Sequence, residues 1–374
     1  MWIIIIISIG IITLFFAIQV LTLITIKRQV NTRLFTKKEV PKVSLLLAAR
    51  NESVLIERSL QSIHALNYPP DKLEVLIGDD DSDDNTADII KEFITDKPNF
   101  TLFSIKEQMG KARGKANVLA HLAHHATGEF YFITDVDVKL PKQWIRSLLN
   151  QFEDGVGIVS GTSTCEPGAS LFSKLQSIDW LHFMGYIQSF ANIGIACTSV
   201  GNNMAVRAKS YWETGGYEHI DFSITEDYKL FKEVTSRGWD WRTILNAESL
   251  GLAWHIPKLT EMLHQRKRWL IGAQELPILW KSLIILYGLF IPAVLIVFVF
   301  APLNAAVLWL AKFVIQCIYI RKLNQLVGLK HYAWLDLILY ELYLVFNTIC
   351  TAIFYFLPIP SIWKGRTYHK SDLA

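Results

Sequence analysis

The chain has 374 residues, of which 51% are hydrophobic and only 19% are charged, and its formal net charge is +3. This composition excludes an intrinsically disordered chain, because such chains combine low hydrophobicity with high net charge. It argues against a nucleic-acid-binding protein, which usually carries a strongly basic domain or stripe. It also argues against an ordinary soluble enzyme, in which about 25% of residues are charged. The excess of apolar residues predicts membrane segments.

The N-terminal segment from Trp2 to Ile26 contains no charged residue and is long enough to cross a bilayer, for which about 20 apolar residues suffice. A cleaved secretory signal is the alternative, but such a signal begins with basic residues and has a shorter apolar core. Basic residues follow the segment at once, as is typical of the cytoplasmic side of a span. They are Lys27, Arg28, Arg33, Lys37 and Lys38. We predict a transmembrane helix over residues 1–27 and a cytoplasmic middle region.

From residue 41 to residue 257 the composition is that of a soluble domain. Short apolar runs alternate with helical patterns in this region. The runs predicted as strands cover 42–49, 73–77, 100–105 and 130–134. Such alternation predicts an α/β fold with a mostly parallel sheet and helices on both faces. Ligands bind beyond the carboxyl ends of the strands in sheets of this kind, and the acidic clusters of the chain lie at those ends.

Two aspartates, Asp135 and Asp137, directly follow the strand predicted over 130–134. Alternate residues of an extended segment point the same way, so both carboxylates can approach one hard cation. Two carboxylates together with substrate phosphate oxygens are a usual way to hold Mg²⁺ or Mn²⁺. Aspartates at this spacing also occur in solvated turns, but the position after a buried strand favours a metal site.

Two charged loops follow other strands. The acidic loop from Asp79 to Asp84 can provide a helix N-cap at its C-terminal end. Asp79 and Asp80 can instead face the cleft and accept a hydrogen bond from the N3–H group of a uracil ring. The next loop is basic and contains glycine, and Lys115 opens the helix after it. This arrangement suits a diphosphate; a solvated charged loop is the alternative.

Two later motifs have both a functional and a structural interpretation. Asp227 precedes a predicted helix and can act as the general base that deprotonates a hydroxyl nucleophile, or it can stabilise the helix N-terminus together with Thr225. The segment from Gln265 to Trp269 lies in an amphipathic helix predicted over 258–281. That helix can bind anionic lipid at the membrane surface, or Arg268 can reach a diphosphate while Trp269 stacks on the acceptor.

The ordered set of motifs resembles the family-two glycosyltransferases with a GT-A fold. It is most similar to their membrane-embedded branch with the D, DxD, TED, QxxRW signature, which includes cellulose, chitin, hyaluronan and poly-N-acetylglucosamine synthases and ceramide glucosyltransferase-like enzymes. The motifs are Arg50-Asn51-Glu52, Asp79-Asp80, Gly114-Lys115-Ala116, Asp135-Val136-Asp137, Gly201-Asn202, Gly215-Gly216, Thr225-Glu226-Asp227 and Gln265-Arg266-Lys267-Arg268-Trp269. The resemblance covers Val43 to Gly272. One departure is Asp81, where the family usually has a small residue.

The resemblance implies an inverting, metal-dependent enzyme that moves a sugar from a nucleotide-diphosphate sugar, with UDP favoured, to a hydroxyl of a lipid or lipid-linked glycan. Asp79 or Asp80 would contact the base and Lys115 the diphosphate. Asp135 and Asp137 would hold the metal, Mg²⁺ or Mn²⁺, and the donor. Asp227 would be the catalytic base. The residues that would close the donor and acceptor site are Gln265, Arg268 and Trp269.

The C-terminal third is apolar again. We predict two or three transmembrane segments over 282–357, with a break at Pro302, and a basic, aromatic interfacial tail over 358–374. The expected location is the bacterial inner membrane with a cytoplasmic catalytic domain. A processive polysaccharide synthase is the alternative, which would need a channel and therefore helices from a partner subunit. A catalytically inactive membrane scaffold is a remote alternative, because all expected acidic residues are present.

Overall fold

A computed structural model of the chain describes residues 2–27, 40–364 and 366–368. The helices are α1 Trp2–Thr25, α2 Ile56–His64, α3 Thr86–Ile94, α4 Lys115–His125, α5 Trp144–Leu149, α6 Leu171–Ala191, α7 Ala208–Glu213, α8 Glu226–Ser236, α9 Leu259–Gly272, α10 Ile278–Phe300, α11 Pro302–Leu326 and α12 Trp334–Phe356. The strands are β1 Val43–Ala49, β2 Leu73–Asp79, β3 Phe100–Ser104, β4 Phe130–Asp135, β5 Val138–Lys139, β6 Val156–Ser160, β7 Ser163–Cys165, β8 Asn203–Arg207, β9 Asp240–Thr243, β10 Gly251–Ala253, β11 Ser361–Trp363 and β12 Arg366–Tyr368. Arg28, Arg33, Lys37 and Lys38, named above as a cytoplasmic flank, lie outside the described residues.

One compact unit, which we call the sheet unit, comprises residues 40–166, 198–254 and 362–368. Its main sheet has seven strands in the order β3-β2-β1-β4-β8-β6-β9. The strands pair in parallel except for β8, which runs antiparallel to both β4 and β6. A second sheet has the order β5-β10-β7. The predicted α/β fold with a mostly parallel sheet is confirmed.

The three central strands bring their acidic ends to one edge. β1, β2 and β4 are apolar along almost their whole length and buried on both faces, as parallel strands covered by helices usually are. Their register places Ala49 opposite Asp79 and Ala48 opposite Asp135. After β1 the chain forms β2 and β3 on one side of that strand, and it then crosses back to form β4 on the other side. Ligand crevices form at such a switch point.

The other compact unit, which we call the helical unit, comprises residues 2–27, 167–197 and 255–361. Its four longest apolar helices, α1, α10, α11 and α12, have the length and composition needed to cross a membrane. Large apolar side chains such as Ile3, Val299 and Leu303 are more than 70% exposed, which suits lipid contact. The predicted break between two spans lies where α10 ends at Phe300 and α11 begins at Pro302, because proline is favoured at the first helical position.

Three predicted boundaries differ from the structure. The region 41–257 is not one continuous unit, since α6 belongs to the helical unit, where Leu175 and Ile178 are buried in an apolar cluster with residues of α9, α11 and α12. The tail predicted as interfacial over 358–374 instead contributes its residues 362–368 to the sheet unit. The helix predicted over 258–281 ends at Gly272. A 3₁₀ turn and Pro277 separate it from α10, since the residue before a proline is held out of the helical region.

Candidate active site

The loops after β1 and β2 are joined by hydrogen bonds at the crevice edge. Arg50 Nη1 donates to the backbone carbonyls of Asp80 and Asp81. The Asn51 side-chain oxygen accepts from the Asp83 amide at 3.0 Å, and Asp84 Oδ2 accepts from the Ser53 amide at 3.1 Å. Among these contacts only Asp84 uses its carboxylate, whereas Asp80, Asp81 and Asp83 contribute backbone groups. Asp79 and Asp80 are the aspartates of the loop that are buried.

The structure distinguishes between Asp79 and Asp80. Both oxygens of Asp80 accept hydrogen bonds from Arg366, at 2.7 and 3.0 Å. Asp79 Oδ2 accepts a weak bond from the Ser82 amide at 3.4 Å, whereas its Oδ1 is buried and has no hydrogen-bond partner among the described residues. A buried acceptor without a partner is costly unless a ligand satisfies it. Asp79 is therefore the carboxylate with spare acceptor capacity.

Asp135 and Asp137 leave the end of β4 as predicted, and Asp137 Oδ1 is buried without a hydrogen-bond partner among the described residues. Burial, followed by repulsion from Asp135 and Glu52, raises the pKa of Asp137 to about 7. A divalent cation would lower this pKa, because it stabilises the charged carboxylate. The pair thus fits one hard cation. No group of three or more metal-ligating side chains occurs within the described residues. Two carboxylates together with substrate phosphate oxygens are a usual way for proteins to hold Mg²⁺.

Lys115 is the first residue of α4, and its helix begins after Gly114, whose φ of +56° suits glycine. The ammonium group contacts Asp135 Oδ1 at 2.5 Å and Glu226 Oε1 at 3.0 Å. It also donates to the Gly201 carbonyl at 3.1 Å. Burial opposes its charge, but the two carboxylates outweigh burial and raise the pKa of Lys115. A lysine held in this way is a fixed positive charge. A bound diphosphate would contact this ammonium group together with Asp135.

Asp227 is the second residue of α8, and its carboxylate interacts electrostatically with the Lys115 ammonium. Its Oδ2 accepts from the Gly201 amide at 2.7 Å and its Oδ1 from the Tyr228 amide at 2.8 Å. Burial, and then repulsion from Glu226, raises the pKa of Asp227 to about 6. A carboxylate fixed by two amides with a pKa near neutrality is suited to accept a proton. The alternative of a Thr225 cap is not seen, since the Thr225 side chain makes no capping bond.

Gln265, Arg268 and Trp269 lie on α9, in the helical unit, and are half-buried. The residues between them have structural partners: Arg266 pairs with Asp179 at 2.5 Å and its guanidinium lies 4.6 Å from the Trp269 ring centroid. Lys267 donates to three backbone carbonyls just at and after the end of α12, those of Phe354, Leu357 and Ile359. The roles given above to Gln265, Arg268 and Trp269 stay predictions.

Sequence reasoning missed three charged residues of this site: Glu226, Lys364 and Arg366. Glu226 contacts the Lys115 ammonium at 3.0 Å, although only its neighbour Asp227 was predicted to have a role in the reaction. Lys364 contacts Glu52 Oε1 at 2.6 Å, and Arg366 binds Asp80 at 2.7 Å. The available signal was a charge imbalance, because the acidic residues at the ends of β1, β2 and β4 outnumber the nearby cations. Arg366 and Asp80 are 286 residues apart in the sequence, so no local pattern indicated that they pair.

Comparisons with known proteins place these features in a family. The sequence model described as glycosyl transferase family 21 matches residues 2–371. The probable glycosyltransferase YdaM of Bacillus subtilis is 29% identical over 245 residues, which cover 63% of this chain and 56% of that protein. A poly-beta-1,6-N-acetyl-D-glucosamine synthase of Staphylococcus aureus is 28% identical over 241 residues, with the same coverage of both chains. The matched region thus spans about half the length of these relatives.

Among solved structures, the chain is similar to the mannosyltransferase PcManGT of Pyrobaculum calidifontis, which was determined in complex with GDP-Man and Mn²⁺. The similarity covers 94% of this chain and 98% of that chain, with a TM-score of 0.59 and 19% identity. At this identity the likeness supports the GT-A fold and says nothing further about this chain's substrate.

Proposed function

The chain belongs to glycosyl transferase family 21, and we propose that it transfers a sugar from a nucleotide-diphosphate sugar to a hydroxyl group of a lipid or lipid-linked glycan at a membrane. The observation that carries the proposal is the group of charges at the crevice edge. The Lys115 ammonium contacts Asp135 at the end of β4 and Glu226 of α8, and Asp137 and Asp227 interact with its charge. This arrangement offers a cation site, a diphosphate contact and a base within one crevice.

For the donor, we propose that Asp79 binds the nucleotide base and that the nucleotide is UDP. Asp79 has one buried oxygen without a partner among the described residues, and uracil offers one ring N–H donor. Guanine would present two donors to the same edge. The solved relative PcManGT is described with GDP-Man, so a guanine nucleotide is the donor to test against UDP.

For the chemistry, we propose a single displacement that inverts the anomeric configuration. The acceptor hydroxyl attacks the anomeric carbon while Asp227 takes its proton, and the bond from that carbon to the diphosphate oxygen breaks. Lys115 supplies a fixed positive charge beside the leaving diphosphate. A divalent cation held by Asp135 and Asp137 would neutralise further charge on that group. Mn²⁺ in the description of PcManGT supports testing this ion together with Mg²⁺.

For the acceptor, the four long apolar helices of the helical unit support a membrane location and a lipid substrate. We propose the bacterial inner membrane, with the crevice on the cytoplasmic side, since the basic residues after α1 favour that orientation. A second candidate is a processive polymer synthase, which the named Staphylococcus aureus relative favours. A polymer would need a channel, and helices for it would come from a partner subunit.

The test is product analysis with the full-length protein purified in lipid vesicles. The donor panel contains UDP-glucose, UDP-galactose, UDP-N-acetylglucosamine and GDP-mannose, each with Mn²⁺, with Mg²⁺ or with EDTA. We expect one UDP-sugar to yield a discrete glycolipid by mass spectrometry and EDTA to abolish it. A ladder of long glycans would instead support the second candidate, a processive polymer synthase, over transfer to a lipid acceptor. Absence of any transfer or donor hydrolysis across the panel would refute the proposed activity.

A further inference from the structure

A hairpin near the C-terminus, β11 Ser361–Trp363 and β12 Arg366–Tyr368, carries two cations that contact the acidic crevice. Arg366 binds both oxygens of Asp80, at 2.7 and 3.0 Å. Lys364 lies 2.6 Å from Glu52 Oε1. The two acidic partners are 12% exposed at their side chains, while the two basic side chains remain about one-third exposed, at 33% and 31%. The hairpin thus reaches the crevice from its solvent-accessible side.

The position of Lys364 relates it to the predicted metal and donor residues. Its ion-pair partner Glu52 lies just after the end of β1 at Ala49. Ala48 of β1 pairs with Asp135 of β4, so Glu52 and Asp135 lie at the same edge of the sheet. Lys364 therefore lies near the carboxylates that would hold a cation at the donor site. Its ammonium group is carried on a flexible four-carbon chain and can move from one anion to another.

The backbone supports the same location. Within the described residues, three non-glycine residues have positive φ: Asn51 at +53°, Asp81 at +55° and Lys364 at +47°. Asn51 and Asp81 belong to the two loops that form the crevice edge, and Lys364 contacts the residue after Asn51. Such conformations persist only where the surroundings enforce them, and they cluster at functional sites. The hairpin shares this feature with the loops it touches.

We propose that this hairpin is part of the donor site: Lys364 binds the diphosphate of the nucleotide sugar, and Arg366 is a positioning residue that anchors the hairpin through Asp80. The proposal rests on the proposed function. Two parallel N–H···O bonds give Arg366 the rigid geometry of an anchor. Because Arg366 occupies both oxygens of Asp80, Asp79 remains for the base. A diphosphate entering the crevice would offer Lys364 stronger charge-assisted bonds than the single carboxylate of Glu52.

The test measures binding to the full-length protein in detergent with MnCl₂, using UDP and GDP as probes and uridine as a probe without phosphate. Lys364→Gln should weaken binding of the preferred nucleoside diphosphate by roughly tenfold to a hundredfold, the range of one lost charge-assisted bond, and leave uridine binding unchanged. The matched control is Lys91→Gln, since Lys91 is 64% exposed and pairs with Asp88 within its own helix. It should bind like the unmodified protein.

Unchanged diphosphate affinity in Lys364→Gln would overturn the assignment. Tighter binding in that variant would also overturn it, because the hairpin would then obstruct the crevice. If the unmodified protein binds neither UDP nor GDP, the proposed function fails as well. These results are distinguishable, since only the last one affects the unmodified protein.

The anchoring role of Arg366 is tested separately. Arg366→Gln should weaken diphosphate binding as Lys364→Gln does, and the double variant should lose no further affinity, because Lys364 acts only from an anchored hairpin. Arg366→Lys should restore binding only in part, since lysine cannot form the two parallel bonds. Additive losses in the double variant, or an equal loss of uridine affinity in Arg366→Gln, would contradict the positioning role.

Discussion

Lys312 in the helical unit and Lys115 in the sheet unit have contrasting surroundings. Lys312 in α11 contacts both oxygens of Glu341 in α12, at 2.7 and 2.6 Å, and Gln316 donates to the same carboxylate at 3.0 Å. The side chains of Lys312 and Glu341 are 5% and 9% exposed. Lys115 in the sheet unit instead contacts two carboxylates, those of Asp135 and Glu226, and two more, Asp227 and Asp137, interact with its charge. The first cluster is balanced and the second has surplus negative charge.

The difference shows which cluster is built for a ligand. Among helices that can span a membrane, an unbalanced charge is costly, so one lysine is matched by one acid. In the sheet unit the surplus acids either keep protons or require cations from outside. The raised pKa values of Asp137 and Asp227 reflect this surplus. We therefore assign the balanced pair to stability and the unbalanced group to function, and each assignment can be tested.

The largest effect is expected at the unbalanced group. Asp227→Asn should lower kcat by roughly 10²- to 10⁴-fold, since the acceptor hydroxyl loses its base, while donor binding survives. The measurement is single-turnover transfer together with nucleotide affinity. The control is Asp88→Asn, because Asp88 is 79% exposed and pairs with Lys91 within its own helix. Retained turnover in Asp227→Asn would exclude it as the base.

The balanced pair should respond in stability instead. Lys312→Met leaves the Glu341 carboxylate buried beside Gln316 alone, which is expected to cost about 3–5 kcal/mol of unfolding free energy. The double variant Lys312→Met/Glu341→Leu removes both charges and should recover most of that loss. Thermal unfolding of the full chain in detergent measures both. If the single and double variants unfold at the same temperature, the pair does not act as a balanced unit.

A smaller effect is expected from moving the base without removing it. A Cβ added to Gly201 would lie 3.0 Å from Asp227 Cβ, so the aspartate must shift by a few tenths of an ångström. Gly201→Ala should reduce kcat by roughly tenfold to a hundredfold through misplacement, with nucleotide affinity unchanged. Gly288→Ala is the matched control, because no atom lies within 4 Å of a Cβ at that glycine. Equal kcat in the two variants would contradict the prediction that a shift of Asp227 lowers kcat.

The smallest effect is a pH dependence. The pKa of Asp227 is raised to about 6, and only its ionised form can accept a proton. The rate at saturating substrate and Mn²⁺ should therefore fall about tenfold per pH unit below that value and level off above it. A pH–rate profile between pH 4.5 and 8, with the protein's integrity checked at each pH, would show this. A flat rate down to pH 5 would contradict the raised pKa or the role of Asp227.

Much of the crevice could be predicted because its determinants are local. Apolar runs define β1, β2 and β4, and acidic residues follow β2 and β4 directly in the chain. Parallel strands bring their carboxyl ends to one edge, so the location of Asp79 and Asp135 at the same edge of the sheet follows from the strand prediction. The sequence pattern also indicated three or four apolar spans and a break at Pro302, since span length and proline position depend on few residues.

What could not be predicted depends on distant pairing. The residues of α6 fall within the region 41–257 that was predicted to be one soluble domain, yet Leu175 and Ile178 are buried against α9, α11 and α12. The pairing of Arg366 with Asp80, and of Lys115 with Glu226, joins segments whose separation carries no periodic signal. The chain's own residues therefore determined its membrane segments, its α/β sheet and the acids at the strand ends, because these follow from local hydrophobicity and alternation. Only the tertiary structure decided which acid receives which cation, because a charge pair forms wherever folding brings two side chains within a few ångströms, whatever their distance along the chain.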